Sequence, residues 1–251
     1  MHRRFFLITL FSFLVLSFSQ NLYAQSAEAK AIDGLIAQNK LAEALKSIEA
    51  GLAKNAKSVE LLARKSRVTA LKADGVNSEE EKVKLYEEAE KIASQAVAAN
   101  PNEAEGYLRR AAAKGKLGLY KGILESRSLV LDVRKDANKA IELAPAGSYN
   151  KALASYILGR VHLKLAEKPK VMRIPLGLGW ASKKKGAELL KQAITMAPQS
   201  IPFHLDYAKW LIASDKKGEA KAVLNKIGTF PIFDPPDVGH KATAKKLLSE
   251  L

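Results

Sequence analysis

Residues that could do chemistry are few in this chain and stand far apart. His162, His204 and His240 are separated by roughly 40 residues, so none has the i, i+4 spacing with which a helix holds a metal. The chain has no cysteine, which excludes a thiolate nucleophile, a Cys-ligated metal and a lipid-modified N-terminal cysteine. No serine sits in a nucleophile-elbow context. Pro175-Leu176-Gly177-Leu178-Gly179-Trp180 has two glycines but lacks the rest of a dinucleotide fingerprint or a phosphate-binding loop. The acidic runs Glu79-Glu80-Glu81 and Glu87-Glu88 suit exposed helix starts, where they favour the helix dipole. These patterns predict no catalytic residue, no metal and no cofactor, and therefore no enzyme.

Binding chemistry is better represented. Tyr107, Tyr156, Phe203, Tyr207 and Trp210 recur on predicted helices beside Arg109, Arg110, Lys114 and Arg160. Aromatics with polar tips and cations of this kind can grip an extended or acidic partner, and they can equally be packing residues between helices. A second concentration lies between Lys168 and Lys185, where Val171, Met172, Ile174, Leu176, Leu178 and Trp180 are bracketed by Lys168, Lys170, Arg173, Lys183, Lys184 and Lys185. Two readings stay open there. Arg173, Trp180 and the three lysines could contact an anionic membrane surface or a partner, or the segment could fold back and bury Trp180.

The elements that must position these groups show themselves as a repeat. Gln95–Pro101, Lys139–Pro145 and Gln192–Pro198 align without gaps, each with Ala and a β-branched residue ahead of a proline. Eight residues before each proline stand Ala93, Ala137 and Leu190, and twelve before stand Ala89, Val133 and Gly186. Small and apolar residues every three or four positions make one helix face suited to close approach by a neighbour, and the proline ends the helix.

This pattern resembles the second helix of a tetratricopeptide repeat. The resemblance implies a first helix ahead of each copy, and Tyr107, Leu108, Ala111 and Ala112, then Leu153, Tyr156, Leu158, Gly159 and His162, fall on such stripes. A further copy uses Phe203, Tyr207 and Leu211 with Ala208, Ala220, Leu224 and Ile227. Ile32, Leu35, Ala44, Leu45, Ile48 and Leu52 resemble a degenerate first repeat turned at Gln38-Asn39-Lys40. The prolines stand 44 residues apart (Pro101 to Pro145) and then 53 (Pro145 to Pro198), against a usual period of about 34, so extra length must be inserted. Asp74–Ser78, Gly118–Ser126 and Glu167–Ala181 are the candidates, either between paired helices or as lengthened helices.

Residues 148–251 are also similar to the C-terminal half of the regulator of microtubule dynamics family, through Gly186–Ala193, Phe233-Asp234-Pro235-Pro236-Asp237 and a last helix over Ala242–Leu251. That resemblance implies a fold alone: variant repeats, inserted segments and a C-terminal capping helix. The expected fold class is all-α, an α-α superhelix of tetratricopeptide-like repeats. It forms one domain over residues 25–251, with Lys241, Lys245, Lys246 and Glu250 making the cap's outer face polar.

Residues 1–24 read as a signal peptide. Arg3 and Arg4 precede the apolar run Phe5–Phe18, too short to span a bilayer, and Ala24 offers the cleavage site, with Ser26 or Ala27 as other possible ends. Removing residues 1–24 takes away two arginines and no acid, so the formal charge of +15 falls by only two. With 47% hydrophobic residues the chain can build a core, which excludes a disordered class.

The expectation is a periplasmic or secreted scaffold, non-catalytic, that binds a protein or peptide partner of acidic character and no nucleic acid. The alternative is a small-molecule-binding accessory of a transport system, its pocket for an organic anion roofed by the inserted segments.

Overall fold

The computed structural model describes residues 26–121 and 123–251, and residues 1–24, read above as a signal peptide, lie outside them. Among the described residues the secondary structure is helical throughout: α1 (Ala27–Ala37), α2 (Leu41–Lys54), α3 (Val59–Gly75), α4 (Glu79–Ala99), α5 (Ala104–Leu117), α6 (Ile123–Leu143), α7 (Tyr149–Ala166), the single turn α8 (Lys170–Arg173), α9 (Lys183–Met196), α10 (Ile201–Ala213), α11 (Lys217–Thr229) and α12 (Asp237–Ser249). The starts are specified locally. Ser26, Ser58, Ser78, Ser148 and Ser182 each accept a hydrogen bond from a backbone N–H in the first turn of α1, α3, α4, α7 and α9. The triple glutamate falls in the first turn of α4, as its sequence predicts, whereas Glu87-Glu88, read as another helix start, lie mid-helix in α4.

Five antiparallel pairs stack in order, α1/α2, α3/α4, α5/α6, α7/α9 and α10/α11, and α12 closes the end against α10 and α11. Each first helix also packs on the first helix of the next pair, which turns the stack into a superhelix. The outermost pairs use the same tight turn. Asn39 and Asp215 both adopt a left-handed conformation, and the N–H groups of Lys40 and Lys216 reach back to Leu35 O and Leu211 O, at 2.9 Å in each case.

The extra residues of the middle pairs go to two places. In the second and third pairs they mainly lengthen helices, since α4 and α6 run 21 residues against 14 in α2 and α5. In the fourth pair they form a genuine excursion, α8 and its flanks.

The buried stripe is the one the repeat predicts. Ala89, Ala93 and Ala96 of α4, Val133, Ala137 and Ala140 of α6, and Gly186, Leu190 and Ala193 of α9 are all buried. Apolar clusters follow one another along the stack, from Ile32, Ile36 and Ile48 at one end to Leu224, Ile227 and Ala244 at the other.

α7 and α9 cross closely, with two glycines facing each other. A Cβ on Gly186 would stand 2.7 Å from the Leu163 side chain and 3.0 Å from Gly159 O, and a Cβ on Gly159 would meet Gly186 O at 3.1 Å. Backbone faces backbone there, so a side chain cannot be absorbed by a rotamer change. Gly186→Val is therefore expected to destabilise by about 1–3 kcal/mol in urea unfolding. Gly34→Ala in α1, where nothing lies within 4 Å of the new methyl, is expected to be neutral or to stabilise by up to about 1 kcal/mol.

Candidate functional site

The C-terminal halves of α5, α7 and α10, together with the N-terminal half of α6, enclose a cleft of about 630 Å³. Its apolar surface comes from Leu119, Leu129, Val130, Leu153, Ile157 and the ring of Trp210. Cations stand around it: Lys114 and Lys116 from α5, Arg160 and Lys164 from α7, Lys183 from α9 and Lys209 from α10, against only Glu167 and Asp206 among the lining residues. Leu119 is 59% exposed, so part of this apolar surface faces water.

Asp206 organises one wall. It accepts a hydrogen bond from Tyr156 Oη at 2.8 Å, pairs with Arg160 Nε at 3.0 Å and pairs with Lys209 Nζ at 3.2 Å. Burial pushes the Tyr156 phenol pKa up, and the neighbouring Asp206 charge adds to the rise while Arg160 opposes it. The phenol is therefore a fixed neutral donor that orients the carboxylate. The carboxylate in turn holds two cations that remain half-exposed at the rim.

Of the predicted contact residues, Tyr156, Arg160, Trp210 and Lys183 meet at this cleft, and Lys114 joins them. The others are engaged elsewhere. Phe203 is completely buried, stacked on Tyr156 at 4.5 Å and Tyr149 at 6.3 Å, and Tyr207 stacks on Trp210 within the same core. Arg110 makes two 2.7 Å hydrogen bonds to the buried Asp136 and lies over the Tyr107 ring, which ties α5 to α6. Lys184 is exposed and Lys185 pairs with Glu188 at 3.7 Å. Asp206, Lys164 and Lys209 escaped the sequence reading. Asp206, Lys209 and Trp210 share one face of α10 at i, i+3 and i+4, and that spacing could have found them.

The Glu167–Ala181 insertion does not roof the cleft, since none of residues 168–182 lines it, whereas Gly118 and Leu119 of the Gly118–Ser126 candidate do form part of its wall. The Glu167–Ala181 segment leans instead on α6 and α7. Trp180 packs edge-on against His162 at 5.0 Å with the Arg134 guanidinium 4.3 Å over its ring, and Arg127 Nε donates to Leu176 O at 2.7 Å. Arg173 is buried and donates to the carbonyls of Lys168, Leu178 and Ala181 at 3.0–3.1 Å, so it holds the segment together rather than contacting a partner.

Further toward the N-terminal repeats the first helices are joined by an ionic ladder. Asp33 of α1 pairs with Arg64 at 2.7 Å and with Arg67 at 3.4 Å, both on α3, and Glu105 of α5 stands 3.8 Å from Arg64 and 3.6 Å from Arg109. Arg67 also pairs with Asp234, which lies in the connection between α11 and α12. The last connection thus reaches back to the second repeat. Burial and the nearby Arg67 lower the Arg109 pKa. Tyr149, 51% exposed, nevertheless has its phenol pKa raised by the surrounding walls and by Asp234.

His204 bonds Ser200 O at 2.9 Å through Nδ1 and packs on Phe230, and His240 Nδ1 lies 3.5 Å from Asp237 Oδ1. Among the described residues no group of three or more His, Asp or Glu is placed to hold a metal ion.

Stacked helix pairs with small residues on the second helix define a tetratricopeptide-type helical array. The chain is similar in structure to TTC0263, a tetratricopeptide repeat protein of Thermus thermophilus, with a TM-score of 0.63 at 18% identity, covering 88% of this chain and 97% of that one. It is also similar to PilF of Pseudomonas aeruginosa, with a TM-score of 0.50 at 13% identity over 89% of this chain and 90% of that one. No curated protein matches the chain in sequence. Residues 25–251 match the family described as Regulator of microtubule dynamics protein 1-3, and the chain belongs to that family.

The insertion's seat on α7 makes the fold sensitive to acid. Ser182 N–H donates to His162 Nδ1 at 3.2 Å, which requires an unprotonated Nδ1, and burial first, then Arg134 and Lys185, lower the His162 pKa from 6.5. A depressed folded-state pKa means that the unfolded chain binds the proton more readily. Stability is then full above pH 6.5 and falls as the pH drops from 6.5 through the folded-state value. The urea midpoint is expected to be lower at about pH 5.5 than at about pH 7.5. In His162→Gln, whose carbonyl can accept the same N–H, the decrement should be smaller.

Proposed function

We propose that this chain is an exported, non-catalytic binding module whose partner is a protein segment carrying apolar side chains and carboxylates. The observation that carries the reading is the cleft itself, apolar within and bordered by cations of which Lys183 has no carboxylate partner among the described residues. Lys114 and Lys116 pair with Asp132 and Asp74, while Arg160, Lys164 and Lys209 pair with Asp206 and Glu167 yet keep exposed ends at the rim. An amphipathic acidic helix or an extended acidic segment would bury its apolar side chains on Leu119, Leu129, Val130 and Trp210. Its carboxylates would then meet Lys164, Lys183 and Lys209. Tetratricopeptide-type arrays offer this kind of concave surface between successive helix pairs. Export is supported by the basic start, the Phe5–Phe18 apolar run and Ala24, and the family match begins at residue 25.

The test is a photo-reactive amino acid placed at Leu119 in the cells of origin. One discrete adduct is expected, with a crosslinked peptide rich in Asp and Glu, and position 57 on the α2–α3 turn is expected to give none. Lys183→Glu combined with Lys209→Glu should lower the yield about tenfold or more, because both charges lie at the rim. Equal labelling at both positions, or a yield unaffected by charge reversal, would refute the reading. An adduct containing a small anionic molecule and no peptide would replace it with the ligand-carrier alternative.

A further inference from the structure

The excursion between α7 and α9 has two faces with opposite chemistry. Its inner face is fixed by the buried Arg173 guanidinium, which bonds Lys168 O at 3.0 Å and Leu178 O and Ala181 O at 3.0 and 3.1 Å, and by Leu178 and Trp180, which fold back on the stack. Its outer face carries Val171, Met172 and Ile174, which are 75%, 57% and 58% exposed. Three large apolar side chains on a one-turn element are thus held in water by a segment that is itself well anchored. A loop free to collapse would cover them, since burying such a side chain is worth about 1.5–3 kcal/mol.

The charges around this tip have one sign. Arg173 binds carbonyls from both ends of the excursion, so Lys168 on one side and the Lys183-Lys184-Lys185 run on the other share its base. Among the described residues, Lys168, Lys170, Lys183 and Lys184 pair with no carboxylate. The only acid between residues 164 and 185 is Glu167, which is taken by Lys164 at 2.8 Å. The three lysines moreover occupy the first turn of α9, with no acidic residue in that turn, where positive charge opposes the helix dipole. Local stability does not explain them there; an external anion would.

We infer that the α8 tip is a membrane-contact element that inserts Val171, Met172 and Ile174 into the interface of an anionic bilayer, with Lys168, Lys170 and Lys183–Lys185 on the lipid headgroups. The tip protrudes. A protein partner would need a complementary pocket, whereas a bilayer interface accepts a convex apolar tip while lysine stems extend along it to the phosphates. The inference shares Lys183 with the cleft, but the apolar tip and Lys168 and Lys170 stand apart from it, because residues 168–182 do not line that cleft.

The experiment is co-sedimentation of residues 25–251, the span that matches the family, which leaves out the N-terminal apolar run. The vesicles are either phosphatidylcholine alone or equal parts phosphatidylcholine and phosphatidylglycerol. Binding is expected to the anionic vesicles only and to weaken as salt is raised. The triple variant Val171→Ser, Met172→Ser, Ile174→Ser should lose about tenfold or more of that affinity while melting at the parent temperature, since the altered side chains are exposed. Lys168→Glu with Lys170→Glu should also weaken binding.

Failure of the parent to sediment with anionic vesicles would overturn the inference, as would undiminished binding by the serine variant. If sedimentation equilibrium shows a dimer that the serine variant dissolves, and vesicles are not bound, the tip is a self-association surface and the membrane assignment is wrong.

Discussion

The fold depends on how closely paired helices can approach, and at the crossing of α7 and α9 this closeness rests on two facing glycines. A Cβ on either Gly159 or Gly186 would press on the other's carbonyl oxygen at 3.0–3.1 Å, so the neighbouring backbone would have to yield to admit one. That seat fixes where α9 begins, and so where Ser182 caps it and meets His162. The fixed start of α9 anchors one end of the excursion, and Arg173 ties the other end to it. The same crossing sets the outward face of α7, from which Tyr156, Arg160 and Lys164 reach the cleft. A repeat of small residues on second helices is therefore also what positions the candidate binding groups on first helices.

Charge is partitioned along the array. Toward the N-terminal repeats, Asp33, Arg64, Arg67, Glu105 and Arg109 satisfy one another, and Asp234 joins from the far end of the chain. These arginines are committed to the superhelix. Around the cleft Lys114, Lys116, Arg160, Lys164 and Lys209 pair with Asp132, Asp74, Asp206 and Glu167. Among the described residues Lys183 is thus the cleft cation without a carboxylate partner, and it stands with Lys168, Lys170 and Lys184 beside the α8 tip. Apolar surface remains uncovered at the same two places, through Leu119 in one and Val171, Met172 and Ile174 in the other. Exposed apolar groups beside exposed cations are poor for an isolated protein and suited to partners that supply both apolar surface and anions.

Much of this was legible in the sequence because the repeat is written in short-range terms. Helix ends are set by Ser caps and prolines, and the buried stripe by spacing, so the helix pairs and the all-α class follow from local patterns. The first-repeat turn at Gln38-Asn39-Lys40 is of the same kind, with Asn39 taking the left-handed conformation that asparagine tolerates.

The site was less legible because its assignment depends on long-range pairing. Arg110 looks like a contact residue until Asp136, 26 residues away, claims it. Arg173 looks like a surface cation until it turns inward onto three carbonyls. Phe203 has the right spacing for the concave face, but its ring is closed in by Tyr149 and Tyr156. The ion pair between Arg67 and Asp234 spans 167 residues, and no local pattern could announce it.

The central claim is that the basic cleft at the C-terminal halves of α5, α7 and α10 is where this array receives its partner. Hydrogen–deuterium exchange of residues 25–251, with and without an acidic amphipathic helical peptide, tests it most directly. The account predicts new protection confined to the α5–α6 connection, the N-terminal half of α6 and the C-terminal ends of α7 and α10. Protection along α2, α4 and α11 instead, or no peptide-dependent protection, would contradict it.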